Sequence, residues 1–414
     1  MKIDDKTSHN SPSIRFPEFT GEWEKCVLGD YGKVVTGNTP PTKDIENYEN
    51  GTYLWASPAD LGTHKLISET KTKLSSKGFT KTRPLSKGSV LVTCIGSTIG
   101  KTGMATREMS TNQQINSIVV NENNDNEFVY YVVQSAFPHY LSSIAVQAVP
   151  IISKSSFELL PSKRPSLQEQ NKIGKFLSLL DERISTQHRL IEDLKKLRCA
   201  IIENVFCSPN HNESALRFKG NTDPLSTYRM EDFCSRITRK NKDNQCSLVL
   251  TIAAQYGLVD QESFFNKTVA SENLAGYYLL HKGEFAYNRS YSAGYDWGAV
   301  KRLEKYPEGV LSTLYICFKI DESAVDSDYL AYYFESTKWH KGLSDIAGEG
   351  ARNHGLLNVS VNDYFNTRHR FHCMREQKII ASMLNVISQK ENDEIALYDN
   401  YQKQKQYLLR KMFI

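Results

Sequence analysis

Residues 165–206 read PSLQEQNKIGKFLSLLDERISTQHRLIEDLKKLRCAIIENVF. Apolar side chains fall at Ile173, Leu177, Leu180 and Ile184, then at Ile191, Leu194, Ile201 and Val205, in alternating steps of four and three around the polar positions Gln187 and Arg198. This is the 3.5-residue period of a coiled-coil seam, a narrow apolar stripe that faces one partner helix. Neither Gly nor Pro interrupts it after Gly174. The spacing predicts one long helix, and the seam demands a partner.

That partner lies in the same chain. Residues 375–413 repeat the pattern with Ile380, Leu384, Ile387, Glu391, Glu394, Tyr398, Tyr401, Lys405, Leu408 and Met412. Glu376-Gln377 follows Glu169-Gln170 at an offset of 207 residues, and Met412 follows Val205 at the same offset, so the two copies align without a gap. The polar positions predict a register. An antiparallel pair with Arg198 opposite Glu394 sets Gln187 opposite Lys405, and Ile191 and Leu194 opposite Tyr401 and Tyr398. Polar layers of this kind fix register at some cost in stability. Glu391 would then face Ile201.

The globular stretches are duplicated as well, more loosely. Ile14-Arg-Phe16 is echoed by Leu216-Arg-Phe218, and Leu28-Gly-Asp-Tyr31 by Met230-Glu-Asp-Phe233. Ser89–Ile95 and Ile115–Val120 are β-branched runs bounded by Gly and Asn and read as strands. Leu314–Phe318 matches the second of them. The apolar run Glu127–Ser135, matched by Tyr329–Ser336, is short enough to be helix or strand by period. Two α+β globular domains of one fold follow, each succeeded by a long helix. Residues 1–13 read as a mobile tail, 14–163 as the first domain, 164–206 as the first helix and 207–215 as a polar linker. Residues 216–370 form the second domain and 371–414 the second helix.

At 414 residues the chain can hold two or three cores, and 40% hydrophobic with 24% charged residues is ordinary for a globular protein. A net charge of +4 is only mildly basic. The eight cysteines form no CxxC pair, which fits reduced thiols. The polar start MKIDDKTSHN lacks a signal-peptide core, and no run is long enough to span a membrane, so a cytoplasmic location is expected.

Motif by motif, the residues favour binding over catalysis. Gly96-Ser-Thr-Ile-Gly-Lys-Thr102 has three residues between its first glycine and Gly-Lys, where a nucleotide-binding loop needs four. It reads instead as a Gly-rich turn that presents Ser97, Thr98 and Lys101 to a phosphate. Gln113 and Gln114, after Asn112, carry amides that can pair with adenine, although such residues are also common in solvated turns. In the second half, Arg289, Tyr291 and Tyr295 interleave cation and aromatics. Arg352, Asn353 and His354 form a Gly-rich polar loop, and Arg239 and Lys240 belong to a short basic run. A DNA amino-methyltransferase would need a cofactor loop and an Asn/Asp-Pro-Pro-aromatic motif. Asn38-Thr-Pro-Pro41 and Thr222-Asp-Pro-Leu225 are each one residue wrong. His369, His372 and Cys373 lack a metal-ligand pattern, so no metal is expected.

Several segments in this order resemble one family: Arg15-Phe-Pro-Glu-Phe-Thr-Gly-Glu-Trp23, Leu28-Gly-Asp30, Gly37-Asn-Thr-Pro40, Gly96–Lys101 and Pro165-Ser-Leu-Gln-Glu-Gln170. With the duplication, they resemble the specificity subunit of type I restriction-modification systems. The resemblance spans nearly the whole chain. It departs at His372, where the first copy has Pro165, and in the absence of a Gly-Asn-Thr-Pro segment from the second domain.

The resemblance implies an α+β fold with two pseudo-symmetric target-recognition domains, separated by two long helices forming an antiparallel coiled coil. Each domain would read one half of a bipartite site on double-stranded DNA, with the helices as spacer and dock. The subunit would have no catalytic site and no cofactor of its own. Two methyltransferase (modification) subunits would bind S-adenosylmethionine and methylate adenine. Two restriction subunits, using ATP and Mg, would join them in the full complex. Two other readings stay open at this point: a coiled-coil adapter without DNA readout, and a self-contained DNA-modifying enzyme.

Overall fold

The computed structural model describes residues 11–143, 151–220, 223–265, 273–290, 294–346, 352–353, 356–357 and 359–414. The chain forms two compact units, Met1–His188 with Ala396–Ile414, and Arg189–Ile395.

In the first unit, strands β1 (Gly32–Thr36), β2 (Leu66–Ile67), β3 (Val90–Thr93), β4 (Thr102–Ala105) and β5 (Ile115–Val120) make a sheet of order β1-β5-β3-β4-β2. All neighbours are antiparallel except β2 and β4. Alternation along the strands loads both faces. Val34, Val90, Val92 and Ile118 pack with Phe128 and Tyr131 of helix α1 (Asn126–Ser143), while Leu91 and Ile115 pack with Leu54, Leu61 and Leu85. The ambiguous run 127–135 is therefore helix. Asp125 starts it, its Oδ1 accepting the Phe128 N–H at 2.8 Å. The long helix α2 (Leu167–Val205) follows.

The second unit repeats the plan. Strands β6 (Cys234–Arg236), β7 (Phe285–Asn288), β8 (Ala299–Arg302) and β9 (Ile316–Ile320) form an antiparallel sheet of order β6-β9-β7-β8. This is the order β1-β5-β3-β4 of the first unit. Phe285, Tyr287 and Phe318 pack with Tyr329 and Tyr333 of helix α3 (Ser327–Tyr333), while Ala286, Cys317 and Ala299 pack with Leu250, Leu280 and Leu311. Asp326 caps α3 as Asp125 caps α1, its Oδ1 accepting from Tyr329 N at 2.9 Å. The second long helix, α4, is Met374–Met412. Each long helix has 39 residues, a span of roughly 60 Å at ~1.5 Å per residue.

The Glu-Gln pair that opens each long helix ties it to its own unit. Arg15 donates to both carboxylate oxygens of Glu169 at 2.7 Å, and Trp23 Nε1 adds a bond at 3.3 Å. Gln170 accepts from the Asp125 N–H at 3.1 Å and donates to the Pro165 carbonyl at 3.1 Å. In the second unit Arg217 donates to Glu376 at 3.2 and 2.5 Å, and Gln377 accepts from the Asp326 N–H at 2.8 Å and donates to the His372 carbonyl at 2.9 Å. All four Glu and Gln side chains are buried. The bond to residue 165 or 372 uses the main chain, which explains how Pro165 can be replaced by His372 in the second copy.

The long helices pair antiparallel, in a register that differs from the one the seam predicts. In the first unit Lys405 pairs with Asp181 at 2.7 Å, Arg183 Nε donates to Tyr401 Oη at 2.7 Å, and the His188 and Tyr398 rings lie 5.8 Å apart. In the second unit Arg198 donates to Glu391 at 3.0 Å and to Glu335 at 2.5 Å. Arg198 thus meets Glu391, not Glu394, and Lys405 meets Asp181, not Gln187. Tyr401 and Tyr398 meet Arg183 and His188. The reason lies outside the seam: Asp181 also accepts from Tyr131 Oη of α1 at 2.5 Å, and Glu335 follows α3. The globular parts supply polar partners that a helix-only pattern cannot weigh. Every predicted seam position, from Ile173 to Val205 and from Ile380 to Met412, is buried or half-buried.

Candidate nucleic-acid interface

The sequence-predicted site residues of the first unit converge at one end of its sheet. The turn 96–101 joins β3 to β4 and is closed by Thr93 N to Lys101 O at 2.9 Å and Gly100 N to Thr93 O at 3.0 Å. Gly96 and Gly100 hold φ of +92° and +90°, which only glycine adopts without strain. Ser97 and Lys101 are exposed and Thr98 is half-buried.

Beside this turn runs Asn112-Gln113-Gln114, leading into β5. Asn112 is buried and structural: its amide donates to Gln114 Oε1 at 3.0 Å and its Oδ1 accepts from Gln114 N at 3.0 Å. Gln113 is exposed and takes a bond from Thr39 Oγ1. The segment Gly37-Asn-Thr-Pro40 therefore lies against 112–114, with Asn38 N bonded to Thr111 O at 2.9 Å. A Cβ on Gly37 would sit 2.2 Å from Thr111 O, so only glycine permits this approach. Asn38 Oδ1, Thr93 Oγ1 and Thr111 Oγ1 are buried at this end without a partner among the described residues.

In the second unit Arg289 and Tyr295 lie at the corresponding end, while the Arg239 side chain reaches toward the start of β7. The β7–β8 connection carries Arg289 and Tyr295 where the β3–β4 turn carries Ser97 and Lys101. Arg289 is half-buried and donates to the Leu314 and Val359 carbonyls, each at 3.1 Å. It ties this connection to the segment before β9. Leu357 N bonds Arg289 O at 2.9 Å, and Leu356–Leu357 pairs with the two-residue strand Arg352–Asn353. Arg239 donates to Glu284 at 2.6 Å. Lys240 lies 4.1 Å over the Tyr278 ring and donates to Gly276 O at 2.8 Å. Tyr295 is half-buried against the core, and burial raises its phenol pKa. Tyr291 and His354 lie outside the described residues.

Sequence reasoning passed over residues 71–87, which hold Lys71, Lys73, Lys77, Lys81, Arg83 and Lys87 without one carboxylate. The signal was present as a charge run. Its place beside the site depends on tertiary bonds: Asn38 Nδ2 to Lys81 O and Arg83 Nη1 to Thr36 O, each at 2.8 Å.

His369 and His372 are buried polar struts. His369 Nδ1 lies 3.0 Å from Tyr333 Oη and its Nε2 2.7 Å from Thr367 Oγ1; His372 Nδ1 lies 2.8 Å from Tyr329 Oη. Burial pushes their pKa values down to about 3 and about 4. Among the described residues no group of three His, Cys, Asp or Glu could hold a metal ion.

Residues 20–196 match the family model of the type I restriction modification DNA specificity domain. The chain is 28% identical over 191 residues to the MjaIX type I specificity subunit of Methanocaldococcus jannaschii, covering 45% of this chain and 44% of that one. It is 31% identical over 126 residues to the HindI specificity subunit of Haemophilus influenzae, covering 30% and 27%. Residues 20–196 are thus similar in sequence to a type I restriction modification DNA specificity domain. The chain's matches span less than half the length of these curated relatives. The S subunit of a type I restriction-modification system from M. genitalium shares the fold at TM-score 0.58 and 14% identity, over 98% of this chain and 99% of that one. A chain from a structure of a type I R-M system shares it at TM-score 0.54 and 15% identity, over 94% and 97%. The duplicated sheets and paired helices of this chain are thus an architecture shared with those structures. No described helix is long and apolar enough to cross a membrane.

Proposed function

We propose that the chain is the sequence-reading subunit of a type I restriction-modification complex, each globular part reading one half of a bipartite site on double-stranded DNA. One observation carries the reading. Residues of base-reading chemistry, gathered from segments far apart in sequence, lie at the same end of the equivalent sheet in both units. Gln113, Gln114, Ser97 and Lys101 occupy it in the first, and Arg289 and Tyr295 in the second. The opposite end of each sheet is bound to its long helix through the Arg-Glu and Gln bonds. Loops free to vary at one end and a fixed attachment at the other suit two readers of different sequence on a common frame.

In this reading the long helices act as spacer and as dock for two methyltransferase subunits. S-adenosylmethionine, and the ATP and Mg used by two restriction subunits, belong to those partners. The subunit is cytoplasmic and contributes no catalytic group. Amides suit adenine and guanidinium groups suit guanine in the major groove, with phosphate contacts setting the approach. Purification with the modification subunit, followed by incubation with DNA and S-adenosylmethionine, tests it. Methylation of adenine in a two-part motif is expected. An adapter without DNA readout would leave methylation unchanged when this chain is omitted.

A further inference from the structure

The first unit carries a strip of cations outside its base-reading loops. Lys77 and Lys81 are more than a third exposed, Arg83 and Lys87 are exposed, and the run from Lys71 to Lys87 has no carboxylate. The backbone holding the strip is firmly built. Leu74 pairs with Tyr53 in a short sheet, the Phe79 ring stacks on Tyr53 at 4.4 Å, and Gly78 is pressed against the Asn47 carbonyl. Arg83 and Lys81 are tied to Thr36 and Asn38, so the strip borders the loop end that carries Gln113.

Two cations are held by acids from a different segment. Lys81 pairs with Asp44 at 2.9 Å, and Lys77 pairs with Glu46. Exposed pairs of this kind contribute little to stability. They keep the ammonium groups oriented and lower the local positive field.

We propose that Lys77, Lys81 and Arg83 are the phosphate-contacting rim of the first unit's reading end, and that Asp44 and Glu46 are placeholder anions which DNA phosphates displace. The inference rests on the DNA-reading assignment and adds the residues that set affinity independent of sequence. A phosphate strip next to a base-reading surface fixes the register of the duplex. Exchanging a carboxylate partner for a phosphate makes binding weaker than the bare cations would give, on specific and random DNA alike, which leaves random DNA, lacking base contacts, weakly held.

The test uses the full chain assembled with its modification subunit, and a fluorescent random-sequence DNA duplex titrated at several salt concentrations. Substituting Lys77→Gln, Lys81→Gln and Arg83→Gln together is expected to lower the salt slope of log K by about 2–3, about one for each phosphate left without its cation. Affinity at low salt should fall about tenfold or more. Asp44→Asn with Glu46→Gln is expected to act in the opposite direction and tighten random-DNA binding several-fold. A purely structural role for the pairs would weaken binding in both variants, and that result overturns the proposal. So does an unchanged slope in the triple variant while the wild-type complex binds DNA. If the wild-type complex itself fails to bind, the DNA-reading assignment falls, and the strip with it.

Discussion

Arg15 and Glu169 form a two-pronged ion pair, both contacts at 2.7 Å, with the Glu169 side chain 1% exposed. The pair joins the first motif of the globular part to the first turn of α2, and Arg217–Glu376 repeats it in the second unit. A buried carboxylate that loses its cation is left uncompensated, which costs about 3–5 kcal/mol. Arg15→Ala should therefore destabilise the first unit by that order, read as a lower urea midpoint of its transition. Arg217→Ala should do the same to the second unit. Arg15→Lys keeps charge but loses the fork, and is expected to fall in between. Domain-resolved denaturation reads all three.

The helix register has its own test. Lys405 with Asp181 and Arg198 with Glu391 are half-buried pairs. A double-mutant cycle on Asp181→Asn and Lys405→Gln should return a coupling of about 0.5–3 kcal/mol. The same cycle on Gln187 and Lys405, the pairing the seam suggests, should return a coupling near zero. The reverse outcome would put the helices in the other register.

Acid should destabilise the second unit first. His369 and His372 have pKa values lowered to about 3 and about 4 by burial, against 6.5 for an exposed imidazole. The unfolded chain takes up protons below pH ~6.5 that the folded chain refuses, so stability is lost as pH falls from ~6.5 toward the folded values. Between pH 6.5 and pH 4.5 the loss is on the order of 2 kcal/mol per histidine. His369→Gln should flatten the dependence of the second unit's urea midpoint on pH over that interval. An unchanged slope would mean that the ring is protonated in the folded state.

Much of the fold could be read directly because its signals are periodic or duplicated. The heptad steps from Ile173 to Val205 mark the helix, and the repeat of Glu-Gln marks the second copy. What stayed hidden depends on contacts between distant segments. Nothing local says that Arg15 meets Glu169, or that Tyr131 and Glu335 supply the polar partners which set the register. At the site, the chemistry of Gln113 and Lys101 was legible one segment at a time. Their meeting at one sheet end was not, because strand order, not sequence order, brings residues 37–40, 96–101 and 112–114 together. Asn112 shows the limit of composition: one of three adjacent amides, it is spent on the turn that presents the other two.

If each unit reads its own half of the DNA site from the loop end of its sheet, a change confined to one loop end must alter one half alone. Mapping methylated adenines on DNA treated with the assembled complex decides this, comparing wild type with a Gln113→Ala, Gln114→Ala variant. One half of the recognised motif is expected to relax or change while the other half and the spacing between them stay as they were. A change in both halves, a change in spacing, or an unaltered motif at normal activity would refute separate reading by the two units.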